Sequence, residues 1–179
     1  MNYLNQIMIM KTKNIVLTIC FFATLLCAQK TMAQTTIGAG IGYGTEIESV
    51  GVMVNGQFFI SDQLAISPDF TYYFPKKITD GFNFKWYEIN ANVNYYFNTE
   101  GSTKFYGLGG LNFSIVSIPS IDFGGFGTIG GASSSKIGLN LGGGVDFKLE
   151  GNITPFAQLK YTLSSFDQLV IVAGIRFKI

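Results

Sequence analysis

From Thr35 to the carboxyl end, apolar and polar positions alternate in pairs, in segments separated by turn residues, and no segment sustains the 3.6-residue period of an amphipathic helix. This pattern predicts strands, because successive side chains of a strand point to opposite faces. In the last segment Leu169, Ile171, Ala173, Ile175, Phe177 and Ile179 share one face, and Gly174, Arg176 and Lys178 the other. Near Ile137 to Leu149, the residues Ile137, Leu139, Leu141, Val145, Phe147 and Leu149 oppose Gly138, Asn140, Gly142, Gly144, Asp146 and Lys148. Near Thr154 to Leu163, Ala157, Leu159, Tyr161 and Leu163 oppose Gln158, Lys160 and Thr162, with Phe156 a large apolar exception on the polar side. Near Trp86 to Phe97, Tyr87, Ile89, Ala91, Val93, Tyr95 and Phe97 oppose Glu88, Asn90, Asn92, Asn94 and Tyr96. Further strands at Thr35 to Gly44, Val50 to Ile60, Leu64 to Phe74 and Lys104 to Ile115 bring the expected total to eight. Two irregularities stand out. The apolar positions change parity at Gly109-Gly110, which predicts a β-bulge. Pro68 removes a ladder hydrogen bond, which predicts a second local bulge.

Alternation leaves open which face is outside, since a soluble lipocalin-like barrel with an apolar, ligand-binding interior also alternates. Volume separates the cases. An eight-stranded barrel has an interior just wide enough for side chains to fill it. The face carrying Gly38, Gly40, Gly42, Gly138, Gly142 and Gly144 together with Asn and charged residues suits that narrow interior, and the Leu, Val, Phe and Tyr face suits lipid. The expected fold is therefore all-β, an antiparallel up-and-down transmembrane barrel. With the amino-terminal end of the first strand placed on the inner side, Phe58, Tyr95, Phe97, Tyr106, Phe147 and Phe177 form one aromatic belt, and Tyr43, Tyr72, Phe74, Tyr87 and Tyr161 the other. Ser61-Asp62-Gln63, Asn98 to Thr103 and Glu150-Gly151-Asn152 make short inner turns, whereas the segments near Pro75 to Asn83 and Ser117 to Ser135 are longer outer connections.

Composition agrees with a surface that does not face water alone: charged residues are 13% and aromatics 15% of the 179-residue chain, with 22 glycines. The net charge of +1 and the lack of basic runs exclude an electrostatic footprint for nucleic acid. Before the first strand, Met10-Lys11-Thr12-Lys13 is basic, Ile15 to Ala28 is almost wholly apolar, and Thr31-Met32-Ala33 offers a small-residue cleavage site. Residues 1–33 are read as a signal peptide, with Met10 an alternative start and Ala28 an alternative cleavage point, and residues 34–179 as the barrel domain. Both cysteines, Cys20 and Cys27, lie in that leader, preceded by Ile19 and Leu26, which disfavours lipidation and leaves no thiol after cleavage.

With its strands so placed, residues 35–179 resemble the small eight-stranded outer-membrane barrels of the OmpA and OmpX kind, the porin family proteins of Gram-negative bacteria. The carrying element is the end Gly174-Ile175-Arg176-Phe177-Lys178-Ile179, which looks like the terminal insertion signal of such barrels through Gly174, Phe177 and Ile179, although many members end in an aromatic residue. The resemblance implies export to the outer membrane and contact with its lipid and with the barrel-assembly machinery. Enzymes built on similar barrels depend on histidine, and this chain has none. The usual general base is thus missing, and a zinc site without His or Cys is improbable chemistry. The glycines of Gly38-Ala39-Gly40-Ile41-Gly42 alternate within a strand, so they make room and do not cradle a phosphate. No cofactor is expected.

Asp69, Glu88, Asn90, Asn92, Asp146, Lys160 and Arg176 form the expected interior polar cluster, with Lys148 and Lys178 as further interior charges. They would either line a narrow channel or pair into a closed polar core, and the narrowness of eight strands favours the core. Counting from the turns sets Arg176 over Phe156 and near Asp146, and Asp69 beside Glu88. The expected function is structural or surface-interacting and non-enzymatic, with channel-type transport or a soluble ligand-binding barrel as alternatives. Residues 117–135 are the candidate partner-binding loop: Gly124, Gly125, Gly127, Gly130 and Gly131 loosen the backbone, and Ile118, Ile121, Phe123, Phe126 and Ile129 supply apolar area. Its ends could instead prolong the strands and present an edge, its apolar residues could fold down as a lid, or the loop could simply be mobile.

Overall fold

The computed structural model describes residues 35–75, 77–79, 82–83, 85–122, 128–165 and 167–179. The signal-peptide reading, together with Phe123 and Phe126, lies outside them. The described strands are β1 (Thr35–Gly44), β2 (Ser49–Phe59), β3 (Leu64–Tyr73), β4 (Lys77–Thr79), β5 (Phe82–Asn83), β6 (Lys85–Tyr96), β7 (Thr103–Asp122), β8 (Thr128–Phe147), β9 (Ile153–Leu163) and β10 (Gln168–Lys178). Eight of them close into an antiparallel barrel in the order β1-β10-β9-β8-β7-β6-β3-β2, while β4 and β5 pair separately. Closure runs through β1 and β10, from Thr36 opposite Lys178 to Gly44 opposite Val170. One end carries the short turns at residues 60–63, 97–102 and 148–152, where Gly101 and Gly151 take positive φ values of 91° and 98° that only glycine adopts cheaply. The opposite end carries the connections at 45–48, 74–84, 123–127 and 164–167.

The faces are sorted by burial. Ile41, Val54, Ile89, Leu111, Leu139, Leu159 and Ile171 point away from the lumen, and Leu139 leaves 54% of its surface open. Asn55, Thr71, Asn90, Asn112, Asn140 and Gln158 point inward and are buried. An apolar exterior around a polar interior excludes the soluble barrel with reversed faces. Exposed Phe58, Tyr95, Phe97, Phe147 and Phe177 stand toward the short-turn end, and Tyr43, Phe74 and Tyr161 toward the other. Tyr72 joins the second group and packs on Tyr87 at 5.2 Å between ring centroids.

Several expectations need correction. Tyr106 does not belong to an aromatic belt: it is buried in the lumen, and Phe105 is the outward residue. No bulge occurs at Gly109-Gly110, since β7 keeps one register against both β6 and β8 across those glycines. The inward bulk of Tyr106 and Leu108 is taken up by Gly144 and Gly142, directly opposite on β8. A Cβ at Gly144 would collide with the Tyr106 ring. Pro68 makes no bulge either: the β2–β3 register is the same on both sides of it, and the ladder simply lacks pairs between Asn55↔Asp69 and Phe58↔Ile66. Pro68 itself points outward. Lys148 and Lys178 are exposed at the short-turn end and are not interior charges.

The connection read as a long loop takes the alternative form, in which its ends prolong the strands. Strands β7 and β8 are each 20 residues long, and their pairing continues through Ser117↔Ser133 and Ser120↔Gly130 to Asp122↔Thr128. The other barrel strands have 10 to 12 residues. Glycine and serine weaken the alternation here, so the sequence looks loop-like. Backbone pairing across an already formed hairpin does not need it.

Candidate functional site

Two features could carry function, the lumen and the β7–β8 hairpin. Around the lumen, inward side chains join across strands into three hydrogen-bonded groups. Nearest the short-turn end, Arg176 pairs with Asp146 and its Cζ lies 3.8 Å from the Phe156 ring centroid. Asp146 also accepts a 2.7 Å bond from the Tyr96 hydroxyl, which accepts one of 2.8 Å from Gln57. Arg176 reaches the Tyr106 hydroxyl at 3.3 Å, and Tyr106 donates to Gln158 at 3.1 Å. This group draws on β2, β6, β7, β8, β9 and β10.

The middle group is built of amides. Asp69 accepts from Asn90 at 2.6 Å and from Asn92 at 2.9 Å. Asn140 donates to Asn90 at 2.8 Å and to Asn92 at 2.9 Å, and accepts from Thr162 at 2.9 Å. Asn112 adds a 2.8 Å bond to Asn90 and accepts from Ser114 at 2.7 Å. At the level beyond, Lys160 meets Glu88 at 3.3 Å with both side chains wholly buried. Gln168 donates to the same carboxylate and, at 3.3 Å, to the Tyr73 hydroxyl.

All seven residues of the expected interior cluster are thus inside, but in separate groups: Arg176 and Asp146 together, Asp69 with Asn90 and Asn92, and Glu88 with Lys160. Asp69 and Glu88 are diagonal neighbours, since Asp69 faces Asn90 and Thr71 faces Glu88, but each carboxylate has its own partners. Buried charges are costly unless paired or hydrogen-bonded, and here four are joined in two ion pairs and the odd carboxylate is held by amide donors. Sequence reasoning missed the apolar and aromatic share of this interior, namely Met53, Tyr73, Leu108, Val170 and Val172. The parity of Val170 and Val172 with Arg176 was the available signal. Among the described residues no group of His, Cys, Asp or Glu could hold a metal ion.

At the other end the β7–β8 hairpin outruns its neighbours. β6 begins at Lys85, opposite Ser117, and β9 ends at Leu163, opposite Leu139. Ile118 and Ile121 therefore sit on strand backbone, paired with Ala132 and Ile129. Gly174 lies inward against Phe156, while Phe177 and Ile179 are exposed on the outer face, Ile179 at 77%.

No protein-family model and no curated protein matches the sequence. Solved structures do. The N-terminal barrel domain of Pseudomonas aeruginosa OprF superposes with a TM-score of 0.62 at 13% identity, covering 83% of this chain and 100% of that one. The attachment invasion locus protein Ail of Yersinia pestis, in complex with the heparin analogue sucrose octasulfate, gives 0.61 at 16% identity over 83% of this chain and 100% of that one. Neisserial surface protein A gives 0.61 at 22%, covering 81% and 96%. The fold is that of the eight-stranded outer-membrane barrels of the OmpA and OmpX type. In such a barrel the exposed band of Ile, Val, Leu and Phe is the lipid-facing surface, and the hydrogen-bonded lumen is its core.

Proposed function

We propose that the protein is a non-enzymatic resident of the outer membrane whose task is performed outside it, by the β7–β8 hairpin. The carrying observation is the length of these strands, 20 residues each against 10 to 12 elsewhere, with pairing maintained to Asp122↔Thr128. Spanning a hydrocarbon band about 25 Å tall takes about 10 tilted residues, so roughly half of each long strand lies beyond the membrane. In this orientation the amino-terminal end of β1 and the short turns are periplasmic. The cross-lumen groups described above favour a closed core over a channel. That Ail is an attachment invasion locus protein and that the Neisserial relative in fold is a surface protein supports the same reading by analogy of fold. Outer-membrane lipid is the contact of the exposed band, and Gly174, Phe177 and Ile179 at the end of β10 are the proposed signal to the barrel-assembly machinery.

The test is removal of residues 120–130 in cells displaying the protein. Retained heat-dependent gel mobility with lost adhesion to coated surfaces or host cells is the expected result. Unchanged adhesion, or failure of the barrel to assemble, overturns the assignment of function to the hairpin.

A further inference from the structure

The short-turn end of the barrel carries charges that neither the membrane band nor the hairpin uses. Past Asp146 on β8 and Arg176 on β10, the next positions of inward parity are Lys148 and Lys178, both exposed. Their backbones are held by bonds at the end of the ladder, from the Lys148 amide to the Ser102 carbonyl at 2.7 Å and from the Lys178 amide to the Asn152 carbonyl at 3.1 Å. On β7, Lys104 is half-buried, shares that parity and stands directly opposite Asp146. Between β8 and β10, β9 contributes only Thr154, opposite Arg176. With neighbouring strands about 4.8 Å apart, the Lys148 and Lys178 backbones lie about 10 Å from each other, a gap that two lysine stems bridge. The carboxylate at this level does not serve these lysines. Asp146 is committed to Arg176 and to the Tyr96 hydroxyl, and among the described residues none of the three lysines is ion-paired. The other acidic groups of this end, Asp62, Glu100 and Glu150, are exposed on the turns. Just inside lies Arg176, 1% exposed, with its Nε lacking a hydrogen-bond partner.

We infer that the short-turn mouth of the barrel is a binding site for a phosphate-bearing ligand, on which Lys104, Lys148 and Lys178 converge. An ammonium is a compact point charge on a flexible stem, suited to gathering around a dense anion, whereas a planar carboxylate is better matched by the fork of an arginine. The parity of the lysines sets the direction of approach. Their outward neighbours at this rim are Phe105, Phe147 and Phe177, all exposed to the membrane side. The site therefore opens along the barrel axis, and a lipid headgroup reaches it only by crossing a rim of phenylalanines. A soluble phosphate compound on the turn side is the favoured source. That this side is the periplasm follows from the orientation proposed above, but the binding depends neither on that orientation nor on the role of the hairpin.

The probe is radiolabelled inorganic pyrophosphate, measured by equilibrium dialysis against the full chain in phosphatidylcholine nanodiscs. Saturable binding is expected. Replacing Lys104, Lys148 and Lys178 together by Gln should weaken it about tenfold or more, with heat-dependent gel mobility unchanged. Should the triple variant fail to assemble, Lys148→Gln with Lys178→Gln changes only exposed residues and should still weaken binding severalfold. Lys85→Gln, at the opposite end, should leave it as it is. Failure of pyrophosphate to bind, or binding undiminished by the lysine substitutions, overturns the inference. Citrate should bind more weakly, and citrate binding as tight as that of pyrophosphate overturns the assignment to phosphate. Native mass spectrometry after release from mixed phosphatidylglycerol and phosphatidylcholine nanodiscs separates the two sources. Equal retention of phosphatidylglycerol by the native chain and the triple variant supports a soluble ligand, whereas an additional phosphatidylglycerol held by the native chain alone assigns the phosphate to a lipid headgroup and overturns the axial approach.

Discussion

Arg176 on β10 and Phe156 on β9 meet inside the barrel with the guanidinium carbon 3.8 Å from the ring centroid, and the same Arg176 pairs with Asp146 on β8. Three consecutive strands are thereby tied at one level. Removing one member of a buried ion pair leaves a stranded charge, so Arg176→Gln should cost about 3 to 5 kcal/mol of barrel stability. Phe156→Leu, which keeps the pair but removes the aromatic face, should cost about 2 kcal/mol. Urea titration of the refolded protein in lipid vesicles, read by gel mobility, gives both values, and equal effects would show that the ring contributes as much as the pair.

Gly144 and Gly109 should respond oppositely to alanine. A Cβ at Gly144 meets the Tyr106 ring and the Ala157 carbonyl, so Gly144→Ala forces the β7–β8 contact apart and should cost about 1 to 3 kcal/mol. At Gly109 the nearest atom is the Asn140 carbonyl oxygen, 4.0 Å away, so Gly109→Ala should be neutral or stabilising by up to about 1 kcal/mol. The same titration distinguishes them, and destabilisation by Gly109→Ala would contradict the open space there.

The assignment of faces predicts that Leu139→Arg, exposed on the apolar face beside the end of β9, destabilises the inserted protein by about 1 kcal/mol. The neighbouring Asn140→Leu should also be costly, by about 1 to 3 kcal/mol, because Asn90, Asn92 and Thr162 each lose a partner in the lumen. Tolerance of both changes would place the membrane on the wrong face.

With cross-strand hydrogen bonds at three levels, the purified barrel should show no steady unitary current in planar bilayers. A sustained current that disappears when Glu88 and Lys160 are both replaced by Ala would instead mean that the lumen is a pathway.

The sequence by itself determined what depends on local periodicity. Leu139 and Asn140 go to opposite faces because adjacent strand residues must, and the interior had to take the glycine and asparagine set because eight strands enclose little volume. Even the meeting of Arg176, Phe156 and Asp146 was legible, since short turns at 148–152 and 164–167 fix the heights of three neighbouring strands. What only the tertiary structure decided depends on which residues lie opposite one another. Tyr106 can turn inward because Gly144 is its cross-strand partner, a fact absent from either strand alone. Lys148 and Lys178 have inward parity but lie where the lumen ends, and the point of ending is set by the closed register. For the hairpin from Ser117 to Ser133 the sequence offered prolonged strands only as one alternative: its glycines and serines carry no face preference, and it is strand because β7 and β8, once paired below, continue to satisfy each other's backbone above the barrel.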